Sequence, residues 1–262
     1  MNNQPIGIFD SGVGGLSILL EIKKILPNEA FVFVADQSFV PYGEKTKDEL
    51  VDRVSKIVDF FIEKKVKAIV MACNTATVYT IDEIRKKTDL PIVGTVPVVK
   101  TLASISKTRK AAVLSTPATA KSPYLESLVN QFAPDVQILR VAGSSLEELV
   151  EEGELDSPRI EAILLQELPP LVEQGVDAIA LGCTHYPFLR SRIEQIVGPG
   201  VMVVDSGEAV SKRLQSVLEE NNILADKKAD DEYYTTGAEP RFKRVAEKMM
   251  NTELSHSAHI DL

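Results

Sequence analysis

The chain has 262 residues, of which 44% are hydrophobic and 26% charged, and a net charge of −9. That length suits one large α/β domain or two small ones, and the acidic balance excludes nucleic acid and anionic membrane as expected partners, since both draw basic surfaces. No apolar run nears the roughly 18 residues needed to span a bilayer, and the opening MNNQPIGIFD lacks the basic stretch and apolar core of a leader, so a cytoplasmic location with reduced thiols is expected.

Short apolar runs alternate with helical patterns along the chain. IGIF (6–9), AFVFVA (30–35), KAIVMA (67–72), PIVGTV (91–96), KAAVLS (110–115), VQILRV (136–141), DAIALG (177–182) and VMVV (201–204) read as strands. They are continuously apolar, which predicts parallel strands covered on both faces. Over 48–65, Leu50, Val51, Val54, Ile57, Val58, Phe61 and Ile62 form one buried helical stripe. Ile160, Ile163 and Leu164 begin another, which Pro169-Pro170 must kink or end. Val210, Leu214, Val217 and Leu218 form a third. The order of elements predicts a doubly wound α/β architecture.

The polar tail NTELSHSAHIDL is expected to be frayed, with no site at its His256 and His259. The chain's two cysteines and three histidines are too few to suggest a metal site.

A faint internal repeat pairs VKAIVMAC (66–73) with VDAIALGC (176–183), setting Ala72 opposite Gly182 and ending each copy on one of the two cysteines. Two similar α/β halves follow, each with its Cys where a strand gives way to a loop, the place where open parallel sheets bind ligands.

FDSGVGGLS (9–17) has the glycine-rich look of a phosphate-binding turn, and Asp36 ends the next strand where a ribose-binding acid would stand. The dinucleotide pattern fails because its third glycine position is Ser17. Two readings stay open: a tight turn whose glycines adopt φ > 0, or helix N–H groups and Ser11 cradling a carboxylate with Asp10 alongside. A second DSG, at 205–207, reads as a capping box with Asp205 as N-cap and Glu208 at N3.

A lone Cys beside a strand is commonly a small buried hydrophobe. The pairing argues for more. Cys73 precedes Asn74 and Thr75, and Cys183 precedes Thr184 and His185. A strand end facing a helix N-terminus favours thiolate. His185 can exchange a proton with Cys183, and Asp10 can do so with Cys73 if the first and third strands are neighbours. Two acid–base thiols suit a two-base racemisation, one removing a proton from carbon and the other returning it to the opposite face.

FDSGVGG, PYGEK, ACNTA and GCTHYP, in this order, resemble the bacterial glutamate racemases of the aspartate/glutamate racemase family, over about residues 6–220. The resemblance implies two pseudo-symmetric α/β domains, here 1–97 plus 208–262 and 98–207, with the active site at their interface. It implies a cofactor-independent enzyme that takes glutamate as its small-molecule substrate, pairs with a second copy of itself as a homodimer, and supplies D-glutamate for peptidoglycan and so for cell shape. Cys73 would act on D-glutamate with Asp10 assisting, and Cys183 on L-glutamate with His185 assisting. Ser11, Tyr42-Gly43, Asn74, Thr75 and Thr184 would grip the substrate, as would Asp10 and His185. Thr116 and Thr119, in STPATAKS, would line the pocket. Where the family commonly has Ala-Cys-Pro, this chain has Ala142-Gly143-Ser144; the family's assisting glutamate then aligns with Glu151, with Glu152 adjacent. A solvated helix end is the competing reading of both glutamates. An aspartate racemase and a non-enzymatic binding module of the same fold are the alternative functions.

Overall fold

The computed structural model describes residues 1–143 and 145–262; Ser144, part of the departure from the family pattern, lies outside the described residues. In chain order the first elements are β1 (Ile6–Asp10), α1 (Leu16–Ile25), β2 (Phe31–Ala35), α2 (Lys47–Glu63), β3 (Ala68–Met71), α3 (Asn74–Ile84) and β4 (Ile92–Gly94). There follow α4 (Val99–Ile105), β5 (Lys110–Ser115), α5 (Pro117–Ala120), α6 (Pro123–Phe132), β6 (Gln137–Ala142), α7 (Leu146–Glu151), α8 (Pro158–Glu167), α9 (Pro169–Glu173) and β7 (Ala178–Leu181). The chain ends with α10 (Arg190–Val197), β8 (Met202–Asp205), α11 (Gly207–Glu220), β9 (Glu232–Thr235), α12 (Glu239–Met250) and β10 (Ser257–His259).

The chain divides into two compact units, Met1–Thr95 with Gly207–Leu262, and Val96–Ser206. The first holds a six-stranded sheet in the order β10-β9-β2-β1-β3-β4, the second a four-stranded sheet in the order β6-β5-β7-β8. Every strand pair among the described residues is parallel. The runs β2-β1-β3-β4 and β6-β5-β7-β8 have the same order, so the repeat of 66–73 in 176–183 falls on equivalent strands, β3 and β7. Gly182 is a glycine for a local reason: a Cβ there would lie 3.0 Å from both Ser115 Cβ and Val113 Cγ1 on neighbouring β5.

In the first unit, Phe9, Val32, Val34, Ile69 and Met71 pack against the α2 stripe of Leu50, Val54, Ile57, Val58 and Phe61. α2 starts from a full capping box of Thr46 and Glu49, which satisfies two of the N–H groups a helix start leaves open. In the second unit, Ala111, Val113, Ala178 and Ala180 pack with Val99, Leu102 and Leu125. Pro169-Pro170 end one helix and open the next, as a ring without an N–H requires. No helix among the described residues is long and apolar enough to cross a membrane.

Expectations about the tail, the sixth strand and the start of the helix after the second DSG change. The tail is not frayed: Ser257–His259 form β10, paired with Tyr233–Thr235 of β9, itself unanticipated. Neither strand is a continuous apolar run, although Tyr233 and Tyr234 of β9 are buried and Tyr234 joins the core of the first unit. β6 is an edge strand and only half-buried, because β5 covers one side alone. Asp205 closes β8 and its carboxylate meets Arg190, and α11 begins at Gly207, one residue beyond the start that a cap at Asp205 sets. Glu208, in the first turn of α11, pairs with Lys212 at 2.5 Å.

Candidate functional site

The anticipated site residues collect at the carboxyl ends of the strands in each unit, where parallel sheets leave backbone groups and helix starts available. In the first unit β1 lies between β2 and β3, with Phe9 opposite Met71. Asp10 ends β1 and Cys73 follows β3, so the neighbour condition for that pair is met.

Cys73 is the N-cap of α3, and its sulfur accepts the Ala76 N–H at 3.4 Å. Its S–H points to Ser11 Oγ at 3.5 Å. A thiol thus stands where a hydroxyl or carboxylate usually caps a helix. The next two side chains, Asn74 and Thr75, are buried. Both amide atoms of Asn74 lack a hydrogen-bond partner among the described residues. A buried amide left unsatisfied is uncommon and costs stability, so it marks a position shaped for something other than the fold.

The glycine-rich turn does not take the φ > 0 form expected of it. Gly15 has φ −59°, an ordinary helical value. Its lack of a side chain serves close approach, because a Cβ there would sit 2.6 Å from Asp10 Cβ. The helix-start N–H groups hold the chain's own carboxylate: Gly15 N donates to Asp10 Oδ2 at 2.9 Å and Gly12 N at 3.4 Å. Asp10 is therefore fully buried yet fixed by backbone donors.

Tyr42 is buried, and its hydroxyl donates to Asp36 Oδ2 at 2.6 Å. Burial, then Asp36, then Cys73 push its pKa well above the usual phenol value, so it stays protonated. With its hydroxyl engaged inward, what the Tyr42-Gly43 turn can offer a ligand is backbone. Gly43 is exposed.

In the second unit Cys183 and His185 follow β7, and Cys183 Sγ lies 3.5 Å from His185 Nδ1. The other ring nitrogen, Nε2, meets Glu151 Oε1 at 2.6 Å. Glu151 ends α7, whose Leu146, Leu149 and Val150 face the core. That phase turns Glu147 and Glu151 partly inward and leaves Glu148 and Glu152 exposed, so Glu151 rather than Glu152 reaches the imidazole. A carboxylate on Nε2 keeps that nitrogen protonated and turns Nδ1 toward the thiol.

Burial works against a charged His185, but the Cys183 sulfur and Glu151 outweigh it and hold the imidazole pKa well above its ordinary value. Burial pushes the Cys183 thiol up, with His185 opposing. This corrects the expectation that the strand end favours thiolate at Cys183. The thiol is buried, which favours its protonated form, and His185 Nδ1 is the group placed to take that proton.

Thr116 caps α5, accepting the Thr119 N–H at 3.3 Å, and its hydroxyl meets that of Thr119 at 3.2 Å. Thr119 and Thr184 are buried.

Sequence reasoning missed two groups. Tyr186, fully buried, donates to the Gly143 carbonyl at 2.9 Å and contacts Glu147 beside the Cys183–His185 pair. Arg53 and Thr236 bind Asp36 beneath Tyr42. Arg53 was detectable as a charge interrupting the apolar stripe of α2; Thr236 carried no local signal.

The profile of the Asp/Glu/Hydantoin racemase family matches residues 15–214. The glutamate racemase of Pseudomonas entomophila (strain L48) is 43% identical over 90% of this chain and 89% of its own length. Among solved structures, a glutamate racemase isoform of Bacillus anthracis matches with a TM-score of 0.91 at 30% identity, over 100% of this chain and 99% of that one. The Escherichia coli glutamate racemase, solved with L-glutamate and an activator, matches with a TM-score of 0.87 at 30% identity, over 98% of each chain. An aspartate racemase of Picrophilus torridus, 17% identical with a TM-score of 0.57 over 82% of this chain and 94% of that one, shares the fold alone.

Proposed function

Because the chain belongs to the Asp/Glu/Hydantoin racemase family and is an amino-acid racemase, an isomerase, we propose that it interconverts L- and D-glutamate by a two-thiol mechanism without a cofactor. The observation that carries this reading is the pair of cysteines at equivalent strand ends, each with its own polar escort. One thiol, as thiolate, removes the α-proton; the other delivers a proton to the opposite face of the carbon. Cys73 serves D-glutamate and Cys183 serves L-glutamate.

The Cys183–His185–Glu151 chain gives the second thiol its proton path. Cys183 begins protonated, as a donor to carbon must. When it must act as base instead, its proton passes to His185 Nδ1, and Glu151 steadies the resulting imidazolium. Asp10, held by Gly12 and Gly15, assists Cys73. Ser11, the Tyr42-Gly43 backbone, Asn74, Thr75 and Thr184 bind the carboxylates and ammonium, with Thr116 and Thr119 lining the site. Hydroxyls and N–H groups carry no net charge, so a dianion-capable substrate is compatible with an acidic chain. The product supplies peptidoglycan synthesis, in the cytoplasm, from a homodimer.

Incubating each glutamate enantiomer in deuterated water tests the reaction. Loss of optical rotation with α-deuterium uptake, and no added cofactor, is the expected result. Cys73→Ala and Cys183→Ala should each abolish racemisation; full activity in both would overturn the two-thiol mechanism. Faster turnover of aspartate than glutamate would replace the substrate.

A further inference from the structure

Arg53 is the one charged side chain on the buried face of α2. Its Nε donates to Asp36 Oδ2 at 2.9 Å and its Nη2 to Asp36 Oδ1 at 2.5 Å, a two-pronged grip on a fully buried carboxylate. Asp36 also accepts the Thr236 hydroxyl at 2.8 Å and the Tyr42 hydroxyl at 2.6 Å. The Asp36 backbone N–H donates to the Asp10 carbonyl at 2.9 Å, tying this carboxylate to the end of β1. A second route leads from Arg53 to the same tyrosine. The guanidinium lies 5.2 Å from the Phe39 ring centre, and Phe39 meets Tyr42 edge-on with centroids 5.9 Å apart. Arg53 Nη1 also donates to the Leu262 carbonyl.

We propose that Arg53 is a positioning residue: its fork on Asp36 and its stack on Phe39 fix Tyr42, and with it the Tyr42-Gly43 backbone that meets the substrate. The inference rests on the substrate-binding reading of that turn given above. A planar guanidinium can bridge both carboxylate oxygens and lie on a ring at once. A lysine would keep the positive charge and lose the bridge. Arg53→Lys therefore separates geometry from charge neutralisation.

Three measurements on Arg53→Lys test the assignment: thermal stability, KM against kcat for glutamate, and iodoacetamide alkylation of each cysteine followed by peptide mass spectrometry. The expected KM rises about tenfold or more while kcat changes less, because a displaced binding turn weakens substrate grip before it alters the proton step. In a Phe39→Ala/Tyr42→Phe background, which cuts both routes, the same change should add less than about twofold. Tyr42 and Cys73 belong to one buried cluster, so a loosened turn should speed Cys73 alkylation about fivefold and leave Cys183 within about twofold.

A lowered melting temperature with wild-type KM and wild-type Cys73 alkylation would reduce Arg53 to a structural ion pair and overturn the proposal. Multiplicative effects of Arg53→Lys and the Phe39→Ala/Tyr42→Phe pair would do the same. Should Arg53→Lys not fold, Asp36→Asn/Arg53→Met removes both charges, and an unchanged KM there is equally decisive against it. Alkylation needs no substrate. A wild type that racemises no glutamate would thus defeat the proposed function while leaving the Arg53 assignment to be judged by its cysteine.

Discussion

Glu151→Gln keeps the side chain's shape and removes its charge from the Cys183–His185–Glu151 chain. The His185 Nε2–H to Glu151 bond is 2.6 Å long, with side chains 6% and 19% exposed, so solvent screens it little. A hydrogen bond to a charged group contributes about 1.5–3 kcal/mol and one between neutral groups about 0.5–1.5 kcal/mol. The substitution should therefore cost the imidazolium about 1–1.5 kcal/mol, or roughly tenfold in the rate of the step in which His185 takes the Cys183 proton. A pH signature accompanies it. The folded His185 pKa lies well above the ordinary imidazole value, so the native Cys183–His185 pair keeps its shared proton to higher pH than a free imidazole would. Its contribution to stability is complete below the ordinary value and is lost as pH rises through the raised one. Wild-type melting temperature should fall from neutral into alkaline pH, and Glu151→Gln should flatten that fall. Scanning fluorimetry from about pH 6 to about pH 10 reads the stability, and circular dichroism of each enantiomer reads the rate. A variant with kcat within about twofold of wild type and an unchanged slope of melting temperature against pH would refute the reasoning.

Asn74→Ala should raise KM by about tenfold or more while leaving melting temperature unchanged or higher, since it removes a buried amide whose hydrogen-bonding capacity the fold does not use; calorimetry beside steady-state kinetics checks both halves. Gly15→Ala drives a Cβ to 2.6 Å from Asp10 Cβ and 3.2 Å from Ala72 Cβ. It should cost about 1–3 kcal/mol in urea unfolding, as overpacking does, and lower kcat by displacing Asp10. Lys67 and Glu29 form a buried pair at 2.5 Å, with side chains 1% and 3% exposed. Lys67→Met leaves Glu29 unpaired and should destabilise by about 3–5 kcal/mol, whereas the double variant Lys67→Met/Glu29→Leu should recover most of that loss.

Eight strands, their parallel sense and the two-half repeat were legible in the sequence because each is a local matter. A continuous apolar run reports burial on both faces, and a repeated Val-x-Ala-Ile run ending in Cys reports a repeated strand end. The candidate residues at the strand ends were legible for the same reason, since Cys73-Asn74-Thr75 and Cys183-Thr184-His185 each follow one strand directly. What stayed hidden depends on pairing between distant positions. Polar Ser257–His259 become a strand only because β9 presents an open edge, and Asp36 becomes a buried junction only when Arg53 and Thr236 converge on it from α2 and from beyond β9. The choice of Glu151 over Glu152 waited on the phase of α7 against the core. The turn at Gly12–Gly15 shows the division most plainly. Its glycines signalled a close approach in sequence, but only packing revealed that what approaches is Asp10, because a carboxylate buried at a strand end must find N–H donors, and the start of α1 supplies them.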